Sequence, residues 1–351
     1  MPLRRTQSDR RTLMKIAFFS SKKWVVDAFT AANEAHGYDQ TFLEARLSKE
    51  TASLAAGFDV ACVFVNDTVD GAVIDILVEG GVHILALRCS GFNNVALRKA
   101  ESSGLTVVRV PAYSPYAVAE HTLGLMLALN RKYYRAYNRV RDGNFSLDGL
   151  LGFDIHQKTV GIIGTGKIGV NLVRLMRGFD CRVLAYDKFE SPEAMEAGAE
   201  YVGLEALYSK SDIISLHCPL THETYHMIND FAIDSMKQGV MIINTSRGPL
   251  IDTAAVIEGL KSGRISYLGL DVYEEEADLF FEDLSDQVIQ DDQFVRLQMF
   301  PNVLITGHQA FFTKEAVKNI AETTLQNIRD LSETGFSVNL VKAADVYGSL
   351  K

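Results

Sequence analysis

The chain has 351 residues, enough for two domains with sizeable cores. Its 35 Lys and Arg against 44 Asp and Glu give a net charge of −9, which argues against a nucleic acid or an anionic membrane as the main partner. At 47% hydrophobic it is too apolar for disorder, and its four scattered cysteines (Cys62, Cys89, Cys181, Cys218), free of any C-x-x-C, exclude a disulfide scaffold or zinc ribbon and fit a reducing, cytoplasmic compartment.

No apolar run reaches the ~18 residues of a membrane span. Residues 1–13 hold Arg4, Arg5, Arg10 and Arg11 against Asp9, with no apolar core behind them, and read as a disordered extension. From Met14 onward short apolar runs alternate with helical stretches. The early runs are Lys15–Ser20, Asp59–Asn66, His83–Leu87 and Leu105–Val110. The later ones are Thr159–Gly164, Cys181–Asp187, Asp212–Cys218, Val240–Thr245, Tyr267–Val272 and Val303–Gly307. Runs of this length without polar alternation read as strands buried on both faces. Alternation with helices predicts α/β folding in two doubly wound parallel sheets. Between the arrays one long helix is expected over Tyr116–Arg141, with Ser114 as cap, Pro115 as first residue and Gly143 as stop. Its basic second half (Arg131, Lys132, Arg135, Arg139, Arg141) reads as a solvated or subunit-facing stripe.

Gly164-Thr165-Gly166-Lys167-Ile168-Gly169 is a G-x-G-x-x-G loop. It follows a strand, opens an amphipathic helix, and precedes a strand ending in Asp187, eighteen residues past Gly169. That context marks a dinucleotide site. Gly164 permits the turn, Gly166 lets backbone approach the pyrophosphate, and Gly169 packs helix on sheet. Asp187 would accept from the adenosine ribose hydroxyls and repel a 2′-phosphate, so NAD is expected; Lys188 is a mild counter-signal. The loop starts near residue 160, so a whole α/β array precedes the cofactor domain.

Three later strands end in chemistry. The run from Val240 leads into Ser246-Arg247-Gly248. That from Tyr267 holds Asp271 and leads into Glu274, Glu275 and Glu276. That from Val303 leads into Gly307-His308-Gln309. The carboxyl ends of parallel strands line the ligand crevice of open sheets. Arginine offers a fork for a carboxylate and a charge for a carbonyl. Histidine can pass a proton to the carbonyl oxygen, and a carboxylate beside such a histidine favours its protonated form. The set suggests hydride chemistry on a 2-oxo acid, with the three glutamates not distinguished.

In order and spacing, these motifs resemble the D-2-hydroxyacid dehydrogenases: the glycine loop, Asn244–Leu250, Leu270–Glu274 and Gly307–Phe311. The resemblance runs from Met14 onward. Ala86–Asn94, Val110–Pro115 and Asp278–Asp283 make the chain most similar to the fermentative D-lactate dehydrogenases of bacteria. It implies a Rossmann NAD-binding domain, 113–310, inserted into a flavodoxin-like substrate domain, 14–112 with 311–351. It also implies roles: Arg247 for the substrate, His308 as proton donor, and Glu276 as its partner by a five-residue spacing from Asp271. The amides of Ser90 and Gly91 would hold the substrate carboxylate, Tyr113 would reach the substrate, and Phe64 and Phe311 would close around a small methyl group. Lys167 and Ile168 would lie over the pyrophosphate. Cys218, Pro219, Thr224, Thr245, Ser246 and Asp271 would line the cofactor site. Gly307 stands where members often have proline.

NADH-dependent reduction of pyruvate to D-lactate by a homodimer or homotetramer is the leading expectation. Its rivals are the same chemistry on phenylpyruvate, 2-oxo-4-methylpentanoate, hydroxypyruvate or glyoxylate, and an NAD-sensing corepressor. Neither nucleic acid, membrane nor metal is expected. The crowded His217, His222 and His226 match no zinc spacing. His121 reads as a satisfied helix histidine. The acids of 274–292, nine with no base, read as a solvated loop rather than a calcium site.

Overall fold

A computed structural model describes residues 13–276 and 279–346. Residues 1–12 of the basic extension, Asp278 of the Asp278–Asp283 motif, and 347–351 of the expected substrate domain lie outside it. The described residues cluster into two units. Residues up to Tyr113 and those from Lys314 on form the first, and Ser114–Thr313 the second.

In the first unit, β1 (Lys15–Phe18), β2 (Asp39–Phe42), β3 (Val60–Val63), β4 (Ile84–Leu87) and β5 (Thr106–Val108) form one parallel sheet. Its order, β2-β1-β3-β4-β5, is flavodoxin-like. β1, β3 and β4 are almost wholly apolar because helices cover both faces. The helix Lys314–Thr334 buries Ile320, Leu325 and Ile328 and packs on β4 and on the helix Lys23–Asn33. That burial returns the chain's last helix to the first sheet.

The second unit holds β6 (Thr159–Ile163), β7 (Arg182–Tyr186), β8 (Ala199–Tyr201), β9 (Ile213–Leu216), β10 (Val240–Asn244), β11 (Ile265–Leu270) and β12 (Val303–Ile305). The order is β12-β11-β10-β9-β6-β7-β8, all parallel, with the Rossmann switch point between β6 and β9. Alternate residues supply the two faces. Ile163, Ile214, Leu216 and Ile242 join one core. Val160, Ile162, Ile213, Met241 and Ile243 join another, with Leu125, Met126 and Leu129 of the helix Pro115–Arg131.

The structure departs from the sequence reading in three places. The compact units divide after Tyr113 and Thr313, where the resemblance implied 112 and 310. Ser114 Oγ caps the helix by accepting from Ala117 N, and the Asp271 carboxylate accepts from Gln309 N and Ala310 N, so both stretches are tied into the second unit. Phe311 therefore belongs to the second unit. The long helix is two helices, Pro115–Arg131 and Tyr133–Arg141. Lys132 between them has φ +51°, which no right-handed helix accommodates. The returning segment fixes the break: Asn130 exchanges two hydrogen bonds with Phe153, and Lys132 Nζ donates to Leu151 O. Gly143 has φ +73° two residues past Arg141. Finally, β2 and β8 were not anticipated. Both are short, half-exposed edge strands without an apolar run.

Candidate active site

The glycine loop is shaped by close approaches. Gly164 has φ +98°, and a Cβ there would lie 2.4 Å from Cys218 N. A Cβ on Gly169 would lie 2.0 Å from Gly164 O, so only glycine lets the helix Lys167–Gly178 start against the turn. A Cβ on Gly166 would meet nothing within 4 Å. The middle glycine thus faces open space at a helix N-terminus, as a cradle for a pyrophosphate requires. Among the described residues, the exposed Lys167 and half-buried Ile168 have N–H groups without acceptors.

Asp187 stands at the end of β7, as a ribose acceptor should. Its Oδ2 also braces the loop, accepting from Thr165 N (2.6 Å) and Thr165 Oγ1 (3.1 Å), and its Oδ1 accepts from Phe189 N. Oδ1, with a single donor, keeps acceptor capacity for a ribose hydroxyl, whereas Oδ2 is taken up by Thr165. Lys188 is turned to Glu223, 3.1 Å away.

Past β9, His217 Nε2 meets Ser215 Oγ at 2.8 Å, and burial pushes its pKa down to about 4, so it is neutral. Cys218 is buried, its thiol pushed up to about 12, and its carbonyl accepts from Ser246 Oγ at 2.7 Å. Thr224 Oγ1 donates to Pro219 O. Thr245 Oγ1 lies 2.9 Å from Thr122 Oγ1 on the helix Pro115–Arg131. These expected cofactor residues therefore stand on neighbouring strand ends, β9 and β10.

β10 runs into Arg247, half-buried, whose Nη1 donates to Ser246 O. A Cβ on the next residue, Gly248, would lie 1.9 Å from Tyr273 O, so the arginine loop and the acidic loop touch backbone to backbone. Of the three glutamates beyond β11, Glu274 accepts from Thr253 Oγ1 at 2.8 Å and pairs with His226 Nε2 at 2.5 Å. Glu276 Oε1 lies 2.9 Å from His308 Nδ1, and its Oε2 accepts from Tyr273 N. The structure thus brings Glu276 and His308 together. The Phe281 ring sits 5.6 Å from the His308 ring.

His308 has φ +52°, a conformation that costs a histidine energy and must be held. Asp271 holds it. The Asp271 carbonyl accepts from His308 N at 2.7 Å, and its buried carboxylate accepts from Gln309 N, Ala310 N and Thr306 Oγ1. Asp271, expected as a cofactor residue, therefore organises the histidine loop. His121 joins it: Nε2 is 3.1 Å from Thr306 Oγ1 and 3.4 Å from Asp271 Oδ1. The sequence placed His121 only on a helix, because a contact between residues so far apart in the chain leaves no local signal. Phe311 is buried against Phe312.

The remaining expected residues lie in the first unit. Ser90 and Gly91 follow β4, half-buried, and among the described residues their N–H groups have no acceptor. Arg109 Nη1 donates to Ser90 O, fixing that peptide. Phe64 follows β3 and is buried; Tyr113 ends the unit, its carbonyl accepting from Asn319 Nδ2. Among the described residues no group of three or more His, Cys, Asp and Glu is placed to hold a metal ion, and no helix is long and apolar enough to cross a membrane.

The NAD-binding domain of the D-isomer specific 2-hydroxyacid dehydrogenases matches residues 123–310. The chain belongs to this family. The D-lactate dehydrogenase of Escherichia coli is 54% identical, over 91% of this chain and 97% of that one. The Salmonella D-lactate dehydrogenase structure superposes with TM-score 0.82 at 54% identity, covering 93% of this chain and 100% of that one. A D-lactate dehydrogenase from Aquifex aeolicus, solved with NAD and lactic acid, gives 0.81 at 32% identity, covering 91% and 95%. This dehydrogenase is an NAD-dependent oxidoreductase. The residues around Gly166 fit that cofactor, with free amides at the helix start and Asp187 at the ribose position.

Proposed function

We propose that this dehydrogenase reduces pyruvate to D-lactate. The observation that carries the reaction is the His308–Glu276 contact at 2.9 Å. It occupies Nδ1 and leaves Nε2, which has no partner among the described residues, to face a substrate oxygen. Glu276 fixes the ring's orientation and stabilises its protonated form, and Nε2 gives the proton to the forming alkoxide. Bound NADH supplies the hydride to the carbonyl carbon. Arg247 polarises the carbonyl and pairs with the carboxylate, as a planar cation does well. The amides of Ser90 and Gly91 are read as holding the substrate carboxylate, Tyr113 as reaching the substrate, and Phe64 and Phe311 as residues against its methyl group. Lys167, Ile168, Thr224, Thr245 and Ser246 line the cofactor with Gly164, Gly166 and Gly169. The unit ending at Tyr113 and resuming at Lys314 is the substrate domain; Ser114–Thr313 is the cofactor domain.

The choice of pyruvate is supported by relatives named D-lactate dehydrogenases at 54% identity. NADH oxidation with a panel of 2-oxo acids, and the handedness of the product, test it. Pyruvate giving the D-product with the highest kcat/KM is expected. No turnover, an L-product, or preference for phenylpyruvate or 2-oxo-4-methylpentanoate overturns it.

The protein is further read as a cytoplasmic homodimer or a pair of dimers. Four scattered, buried cysteines fit a reducing compartment. Exposed Tyr133, Tyr137 and Val140, at i, i+4 and i+7 of one helix, and exposed Phe145, Leu147 and Leu151 beyond it are apolar side chains suited to a second copy. Light scattering showing the mass of one chain overturns the oligomer.

A further inference from the structure

Beneath the edge of the first sheet lies a buried cation that the catalytic reading leaves unused. Arg88, one residue past β4, is fully buried. Its Nη2 donates to Phe19 O (2.7 Å) and Ser20 O (3.0 Å), and its Nη1 to Cys62 O (3.3 Å); Nε has no partner among the described residues. A buried charge held by carbonyls alone is expensive, and an apolar side chain of similar volume would fill the space more cheaply. What an apolar chain could not do is grip the ends of β1 and β3 at once and present a flat cation to an aromatic ring. The Arg88 guanidinium does both, lying 5.1 Å from the centroid of Phe64.

Phe64 is fixed from other directions too. Its N–H donates to Asp67 Oδ2 at 2.6 Å, and its carbonyl accepts from Asn94 Nδ2 at 3.1 Å. The other Asp67 oxygen accepts from Ser20 Oγ and Leu47 N, so this buried carboxylate ties the same two loops that Arg88 bridges. Against the ring stands Trp24, the chain's single tryptophan, edge-on at 6.0 Å and 68°. The backbone of Phe64 is thus held by hydrogen bonds, and its ring is flanked by Arg88 and Trp24.

We infer that Arg88 and Trp24 are specificity-determining residues: they pin the Phe64 ring and so limit the 2-oxo acid side chain to a small one. Neither touches substrate; both are positioning residues. The inference rests on the reading of Phe64 as a residue enclosing the substrate's methyl group. Aromatic pairing and the cation's position over the ring restrict its rotamers, and a pinned wall discriminates by size where a mobile one yields.

The test is the ratio of kcat/KM for 2-oxo-4-methylpentanoate to that for pyruvate, since loss of stability alone does not move a ratio. Phe64→Ala, the control, is expected to raise it most. Trp24→Leu is expected to raise it about tenfold, on the scale that a methylene or two commands in an apolar pocket. Arg88→Lys, which keeps the charge and loses the plane, is expected to raise it less and to shift Trp24 fluorescence. In a Phe64→Ala background Trp24→Leu should change nothing further, because the ring it pins is gone. If Phe64→Ala raises the ratio while Trp24→Leu and Arg88→Lys do not, the inference is overturned and the substrate reading stands. An unchanged ratio in Phe64→Ala overturns both. Should Arg88→Lys not fold, Trp24→Leu with its double-variant control decides.

Discussion

Both sheets present their polar groups at the carboxyl ends of parallel strands, but they equip that edge differently. In the second unit the ends of β10, β11 and β12 carry charged side chains in partnered geometry. There His308 meets Glu276, Asp271 braces the histidine loop, and Arg247 sits on a loop whose next residue, Gly248, touches Tyr273 backbone to backbone. In the first unit the ends of β3 and β4 offer two free amides and a buried ring. Charge there is kept below the surface, in Arg88 and Asp67, where it shapes loops. The difference teaches that proton movement needs side chains that change state, whereas fixed backbone dipoles can serve an anion without changing state.

His308→Gln gives the comparison its hardest test. It should lower kcat by about 100- to 10,000-fold, the usual share of a general acid, while NADH affinity measured by fluorescence stays within about twofold. Unchanged turnover would remove the second unit's claim to the chemistry. Arg247→Lys should follow, lowering kcat/KM for pyruvate by about 10- to 100-fold, because an ammonium keeps the charge but loses the bidentate fork.

His217 sharpens the contrast from another side, as a neutral, half-buried histidine of the second unit whose Nδ1 is buried. Folded, it protonates only near pH 4, whereas in the unfolded chain it protonates near 6.5. Between those values the unfolded state binds more protons, so stability falls as pH falls, by up to about 1.4 kcal/mol per pH unit. Above pH 6.5 the effect is absent. Urea midpoints of the wild type and His217→Gln at pH 7, 6 and 5 should therefore converge on acidification; parallel curves would assign the acid sensitivity elsewhere. The smallest effect belongs to the first unit. Ser90→Ala should alter KM for pyruvate by less than about twofold, since the proposed hold on the carboxylate uses the amide and not the hydroxyl. A large rise in KM would mean that this edge, too, works through side chains.

Local sequence carried the reading a long way. The G-x-G-x-x-G loop between a strand and a helix, and the strand-ending Arg247, Asp271 and His308, are short-range patterns whose spacing reflects backbone geometry. What they left open was a matter of proximity. Three adjacent glutamates look alike in one dimension; the family spacing pointed to Glu276, and the fold puts it 2.9 Å from His308 while giving Glu274 to His226 and Thr253. The helix break at Lys132 has neither glycine nor proline to announce it, since its cause is the segment at Leu151–Phe153 returning to the helix end. The acids of 274–292, read as solvated, include Asp291, which accepts from Tyr273 Oη and caps the helix Asp292–Gln298.

By itself, then, the sequence determined the fold class, the NAD-binding loop and the kinds of side chain available for hydride chemistry, because strand periodicity and glycine spacing are written within a few residues of one another. Tertiary structure decided the partnerships: that Glu274 goes to His226 and Thr253, that Asp271 and His121 brace the His308 loop, and that Arg88 and Trp24 flank Phe64. These depend on strands and helices far apart in the chain meeting in space, and the strength of a hydrogen bond or a ring contact is set by distance and orientation in space, not by separation along the chain.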